Sequence, residues 1–434
     1  MKKTGVTSKH EMNNRLSSNR ITSTDYANPY RPFFLQSLNF LGDKAARFNL
    51  RVSLDRESLL KAAMRAERYD DFGDEAFLLP FEVLLHSIEQ EAKLNFVGRF
   101  ITRQRILNLL RNRLRVTRLL KKHPEIKQIP IDELVLITGL QRTGTTILHR
   151  LLAEDPENRA LLAYEGLNPA PFVYNESESF RKKRRMAKQS ERALAYMAPD
   201  FFAIHPVEWD APEEDVLLLD YAFISTVAES TMHVPTYAKW VEIHDNRPAY
   251  EYMRTLMQVL SWKSPKRRWI LKSPHHLEFL KDFLQVFPNT TVVRTHRDPC
   301  ETLPSFCSMM CHGRGIFTDH VNPTVVGDHW LRKTARMVTR GEAAIAALRP
   351  PRLLDIEYRA MVPNPIEQIK LIYNRASIGL DREALRRMDK SLKINKQHRF
   401  GLHRYNMESF GLTKERIYAA YGQYADRFTN MERK

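Results

Sequence analysis

Along the first third of the chain, apolar residues recur three and four positions apart, the spacing of one helix face. Phe77, Leu78, Phe81, Leu84, Leu85 and Ile88 form one such series, and Ile106, Leu109, Leu110 and Leu114 another. From Leu54 to about Leu120 there are long spells without proline and few glycines, which favours helix throughout. Between Arg103 and Lys122 the intervening positions are strongly basic, which predicts a solvated helix face, with a phosphate-binding face as the alternative. The texture changes after Pro130. Leu134–Thr138 is a short apolar run ending in glycine, as expected of a strand covered on both faces. Similar runs follow at Trp269–Leu271, Thr291–Thr295 and Leu353–Ile356, with helical patterns between them such as Leu277 to Phe287. Buried strands alternating with helices predict a parallel α/β sheet. Three regions result: a polar, loose tail over residues 1–28, a helical region over 29–130, and an α/β domain over 131–434.

Composition adds an electrostatic expectation. Lys+Arg 68 against Asp+Glu 51 leaves a net charge of +17, which suits a nucleotide, a polyanion, a phospholipid surface or nucleic acid. The basic run Arg181–Arg185 predicts an exposed helix face, with a localisation signal or membrane-surface patch as rival readings. The three cysteines, Cys300, Cys307 and Cys311, make no disulfide framework. Cys307, Cys311 and His312 lack a fourth ligand at a familiar interval, so buried thiols are expected rather than a metal. Sparse cysteines fit a reducing, cytoplasmic setting. The basic N-terminus has no apolar core behind it, and no apolar stretch approaches a membrane span, so a soluble protein is expected.

The first chemical signal is Gly139-Leu-Gln-Arg-Thr-Gly-Thr-Thr146, between a buried strand and the helical pattern Ile147 to Leu152. Backbone N–H groups of a glycine-containing turn feeding a helix N-terminus form an anion site. The Gly139 to Gly144 interval matches a P-loop, but Thr145 stands where a nucleotide triphosphatase needs lysine. The cation, Arg142, lies inside the loop instead. Gln141-Arg-Thr-Gly-Thr-Thr146 resembles the 5′-phosphosulfate loop of sulfotransferases that use 3′-phosphoadenosine-5′-phosphosulfate (PAPS), with Gln141 where proline is usual. The resemblance implies that Arg142, Thr143, Gly144, Thr145 and Thr146 cradle the 5′-phosphate and sulfate. It also implies a P-loop-like parallel sheet flanked by helices, with a helical N-terminal extension.

A second motif agrees. Thr295-His-Arg-Asp-Pro299 ends a strand, and Ser305 follows Arg297 by eight positions, the interval at which the family holds the 3′-phosphate. Leu354-Asp-Ile-Glu-Tyr358 is similar to a segment whose tyrosine lies near the adenine, so Tyr358 is carried over. The basic stretch Lys396–Tyr405 resembles the loop that closes over the 3′-phosphate. With Lys272-Ser-Pro-His-His-Leu277 and Phe410-Gly-Leu412, the likeness to the large, mostly bacterial sulfotransferase group covers most of the chain.

For the chemistry, Arg142 and Lys272 are expected to neutralise charge on the leaving nucleotide, Lys272 by likeness to the tyrosylprotein branch. The same branch places a glutamate where Glu165 stands, making it the expected base. His205, His275 and His276 are rivals, because the cytosolic branch uses histidine. The acidic patch Glu208–Asp215, with Trp209 inside it, is expected to line the acceptor side or cap a helix. The acceptor is expected to be a small molecule or glycan, with no metal needed and no nucleic acid bound. Peripheral membrane contact stays open, and a non-catalytic basic module for nucleic acid or anionic membrane is the alternative. His296-Arg-Asp298, Asp71-Phe-Gly73 and Ala211-Pro-Glu213 look kinase-like, but their order along the chain is wrong for a protein kinase.

Overall fold

The computed structural model describes residues 21–48, 50–172, 175–264, 267–349, 352–394 and 403–429. Five strands form one sheet: β1 (Val135–Gly139), β2 (Asn158–Ala160), β3 (Arg268–Lys272), β4 (Thr291–His296) and β5 (Leu353–Glu357). Their order is β2-β3-β1-β4-β5, and every pairing is parallel. Ile137 at the centre lies opposite Lys272 on one side and Val293 on the other. β1 and β4 are buried along their whole length, because helices cover both faces, which explains their unbroken apolar runs. The loops after β1, β3, β4 and β5 therefore leave from one edge of the sheet. In open α/β sheets ligands bind beyond the carboxyl ends of the strands, where the order steps away to either side.

The helical region comprises Arg56–Glu67, Leu78–Glu91 and Phe96–Lys122, with the predicted apolar series inward. These helices share a core with one face of the sheet: Leu84 and Leu114 belong to the cluster that holds Leu136, Leu271 and Val292. The basic face of Phe96–Lys122 is not simply solvated, nor does it form a phosphate surface. Arg113 is buried between the rings of Phe77 and Tyr252, at 4.0 and 4.2 Å, and donates to the Tyr221 carbonyl. Arg111 pairs with Glu67, Arg105 with Asp220 and Lys121 with Asp71. The surplus cations act here as internal ties.

Two further expectations change. Of the predicted tail, residues 1–20 lie outside the described residues, but Thr22 and Tyr26 are buried. Tyr26 packs 4.7 Å from the Phe410 ring, so residues 21–28 are anchored and not loose. Arg181–Arg185 lies on the Glu176–Met197 helix, mostly exposed as expected, except that Lys183 turns inward to donate to the Pro169 carbonyl. Among the described residues, no helix is long and apolar enough to cross a membrane.

Candidate active site

β1 ends at Gly139, whose φ of 143° and contact with the Thr295 backbone leave no room for a Cβ. The chain then turns through two left-handed residues, Arg142 (φ 66°) and Gly144 (φ 86°), into the Thr145–Leu152 helix. Among the described residues no side chain caps that helix, and the Ile147 N–H bonds the Gly144 carbonyl (3.1 Å), so the N–H groups before it are the ones that suit an anion. The Thr143 side chain is engaged within the protein. Its Oγ1 donates to the Leu140 carbonyl (2.6 Å) and lies 2.6 Å from Thr295 Oγ1, so the side chain pins the loop. Thr145 is buried and Thr146 exposed at the helix start.

The second motif folds directly against the first. Arg297 Nη1 donates to the Arg142 carbonyl (3.1 Å), Nε donates to Glu301 (2.8 Å), and the guanidinium lies 4.1 Å from the Tyr358 ring. Tyr358 in turn packs on Gly144, where an added Cβ would meet its ring at 3.1 Å. Ser305 Oγ accepts from Arg142 Nε (3.2 Å) and approaches His403 Nδ1 at 3.4 Å. Ser308 Oγ lies 2.9 Å from His403 Nε2, and Tyr405 OH donates to the Glu301 carbonyl (3.2 Å). Most of the predicted basic loop, residues 395–402, lies outside the described residues. His403 and Tyr405 at its end do reach the cluster.

Electrostatically, this pocket is unbalanced. Among the described residues no carboxylate pairs with Arg142, and burial together with the charge of Arg297 lowers its pKa. Burial, then the charge of Arg142, pushes His403 down to about 3, so it is neutral. Two converging guanidiniums with a single acid, Glu301, favour a polyanion in the pocket. The uncapped helix and the arginine pair suit the two phosphate ends of an adenosine bisphosphate.

Lys272 closes the third side, at the end of β3. It is buried, its N–H donates to Asp215 (2.8 Å), and its Nζ donates to Glu214 (2.9 Å). Ser273 Oγ donates to the other Glu214 oxygen (3.1 Å). Asp215 is also 2.8 Å from His276 Nε2, and His276 Nδ1 is 3.0 Å from Tyr250 OH. Burial alone would raise the Asp215 pKa, but His276 and the Lys272 N–H outweigh it and hold it below the usual range. His276 thus props the end of β3 from within the core. His275 is buried against Phe279, 4.7 Å between rings, with neither nitrogen partnered among the described residues.

His205 is differently placed. It follows the Pro199–Ile204 helix, whose last carbonyl accepts from Arg142 Nη1 (3.3 Å), and its Nε2 lies 3.9 Å from Glu213. Burial lowers its pKa, Glu213 and Glu214 oppose that, and Lys272 and Arg142 add to it. Arg142, His205, Glu213, Glu214 and Lys272 are therefore one electrostatic cluster. Glu165 is held apart: one oxygen accepts from Arg159 (3.0 Å) and the other from the Leu162 N–H (3.2 Å). It lines a cavity of about 1190 Å³ with Tyr164, Lys183 and Trp209, and residues 139–146 do not line that cavity. Sequence reasoning missed Glu213, Glu214 and His403 individually. The acidic run Glu208–Asp215 was the available signal for the first two.

The fold is a P-loop-like α/β one, and its cationic pocket suits a transferase acting on an anionic ligand. Residues 135–382 match the profile of the sulfotransferase family, and the chain belongs to that family. It is 24% identical over 309 residues to the omega-hydroxy-beta-dihydromenaquinone-9 sulfotransferase Stf3 of Mycobacterium tuberculosis, over 68% of this chain and 75% of the relative. The Mycobacterium bovis counterpart matches equally. Among solved structures, sulfotransferase STF1 from Mycobacterium tuberculosis superposes with a TM-score of 0.75 at 27% identity, covering 85% of this chain and 98% of its own. Sulfotransferase STF9 from Mycobacterium avium shares the fold with a TM-score of 0.78 at 24% identity, covering 87% and 97%. The non-catalytic module considered above is set aside: the protein is a sulfotransferase.

Proposed function

We propose that the protein moves the sulfuryl group of PAPS onto a hydroxyl or amine of a small-molecule or glycan acceptor, in the cytoplasm and without a metal. The observation that carries this is the Arg142–Arg297–Ser305–His403 cluster beside an uncapped helix N-terminus. The three free, buried thiols accord with a reducing compartment. The Mycobacterium tuberculosis relative is named for an omega-hydroxy acceptor, which favours an alcohol on a lipid-like molecule.

In this reading Thr143, Gly144, Thr145 and Thr146 present backbone N–H groups to the 5′-phosphosulfate, and Arg297 with Ser305 holds the 3′-phosphate against Tyr358. The acceptor oxygen bonds to sulfur as the bond from sulfur to the 5′-phosphate oxygen breaks. Adenosine 3′,5′-bisphosphate leaves. Arg142 and Lys272 offset the charge growing on the departing oxygen. The acceptor proton passes to His205, which the geometry favours over Glu165 because both Glu165 oxygens are already engaged.

Sulfate transfer from labelled PAPS across candidate acceptors, with mass analysis of the product, tests the activity. Separately, adenosine 3′,5′-bisphosphate should raise the melting temperature equally with and without a chelator, since a ligand of the folded state alone stabilises it. No stabilisation, or stabilisation only with magnesium, would overturn the nucleotide assignment.

A further inference from the structure

The Phe33–Ala46 helix reverses the usual rule that the apolar stripe faces the core. Its buried positions are Asn39 and Gly42. Asn39 Oδ1 accepts from the Val97 N–H (3.0 Å), and Gly42 sits on the Phe96 ring, where a Cβ would come within 2.2 Å. The rings point outward instead: Phe33 is 82% exposed, Phe34, Phe40 and Leu41 are exposed beside it, and Phe48 and Leu50 follow at 79% and 71%. Six large apolar side chains on or beside one helix are far more than a soluble surface carries at random.

Around them the charge is positive. Lys44 lies 4.4 Å from the Phe40 ring and Arg47 follows, against Asp43 on the same helix, while Arg51 beyond them pairs with Glu89 (3.7 Å). In the sequence, residues 1–20 carry Lys2, Lys3, Lys9, Arg15 and Arg20 against Glu11, and they lie outside the described residues. We propose that this face docks on an anionic phospholipid surface. Aromatic rings settle at the boundary between headgroups and acyl chains, and flanking cations meet the headgroups. A second copy of the chain would set the same cations against each other, which argues against self-association. Docking also has a consequence for the site. The stretch just before the helix touches the end of the pocket, through Thr22 Oγ1 accepting from the Arg404 N–H (3.2 Å) and Tyr26 OH donating to the Arg404 carbonyl (3.3 Å). A lipid-like acceptor would then meet the enzyme at the membrane surface, although the docking inference itself does not rest on the sulfuryl-transfer reading.

Sedimentation of the full chain with phosphatidylcholine vesicles, with and without phosphatidylglycerol, tests this. The wild type should pellet with the anionic vesicles only, and less as salt rises. Phe33→Ser with Phe40→Ser should lower partitioning at least about tenfold, given the apolar area each ring loses. Folding of that variant is checked by a circular dichroism spectrum and melting temperature like those of the wild type. The proposal falls if the wild type ignores anionic vesicles, or if the serine variant still binds them. It also falls if the wild type is a dimer that the serine variant turns into a monomer, because a second copy would then be the occupant.

Discussion

His205 and Glu165 show how one residue's surroundings decide its chemistry. Burial lowers the pKa of His205 below its ordinary value of about 6.5, so the imidazole is neutral at neutral pH and able to take a proton. Turnover should therefore fall as pH drops through a midpoint below about 6.5, and His205→Gln should remove that limb. We expect His205→Gln to lose on the order of a hundredfold or more in kcat, with affinity for adenosine 3′,5′-bisphosphate retained. Glu165→Gln should keep near-full kcat and lower the melting temperature, since it weakens a half-buried pair with Arg159. The reverse pattern would return the proton to Glu165. Arg297→Ala tests the other end of the site: loss of a charge-assisted contact should weaken adenosine 3′,5′-bisphosphate roughly tenfold to a hundredfold. Adenosine 5′-phosphosulfate, which lacks the 3′-phosphate, should bind mutant and wild type alike. The Arg297–Ser305 interval was legible in the sequence. That Arg142 reaches the same serine was not, because it depends on a left-handed φ which no spacing reveals.

At the scale of elements, the loop proposed to hold the phosphosulfate keeps its shape because Gly144 accepts a backbone conformation that other residues resist. Its φ of 86° is left-handed, and a Cβ there would come within 2.1 Å of Met361 Cε and 3.1 Å of the Tyr358 ring. Gly144→Ala should cost about 1–3 kcal/mol from the backbone alone. It should also displace Tyr358 and weaken nucleotide binding, which melting curves and calorimetry would read separately. Wild-type stability and affinity in that variant would show that the loop adapts. Four strands were readable because each contains a short apolar run, three of them largely buried and β5 only partly so at the far edge of the sheet. The edge strand β2 was not, since Asn158-Arg159-Ala160 has no such run and earns its place by pairing with β3. The Phe33–Ala46 helix falls within the helical region expected over 29–130, but its outward apolar face was not legible, because spacing alone does not say which side of a helix meets the core. The cations of Phe96–Lys122 misled because their partners, Glu67, Asp71 and Asp220, are distant in sequence.

For the molecule as a whole, buried imidazoles should govern stability in mild acid. Burial, then the charge of Lys272, lowers His149 to about 3. His403 falls likewise to about 3, and burial beside His276 takes His275 well below its ordinary value. In the unfolded chain each titrates near 6.5, so below that pH the unfolded state binds protons that the folded state refuses. Stability from these groups is thus full above about pH 6.5 and shrinks as pH falls, by at most about 2 kcal/mol per histidine at pH 5. Most carboxylates belong to a lower window, Asp282 excepted, which burial raises. Burial alone would raise Glu242, but Arg336 and Arg332 outweigh it and hold it at about 2, so its contribution is lost only below about pH 4.5. Melts between pH 7 and pH 5 therefore read chiefly the histidines. His275→Gln should flatten the dependence of unfolding free energy on pH by close to one proton relative to wild type, whatever it does to stability at pH 7. An unchanged slope would mean that His275 takes up its proton in the folded protein, which its sealed position between Tyr250 and Phe279 argues against.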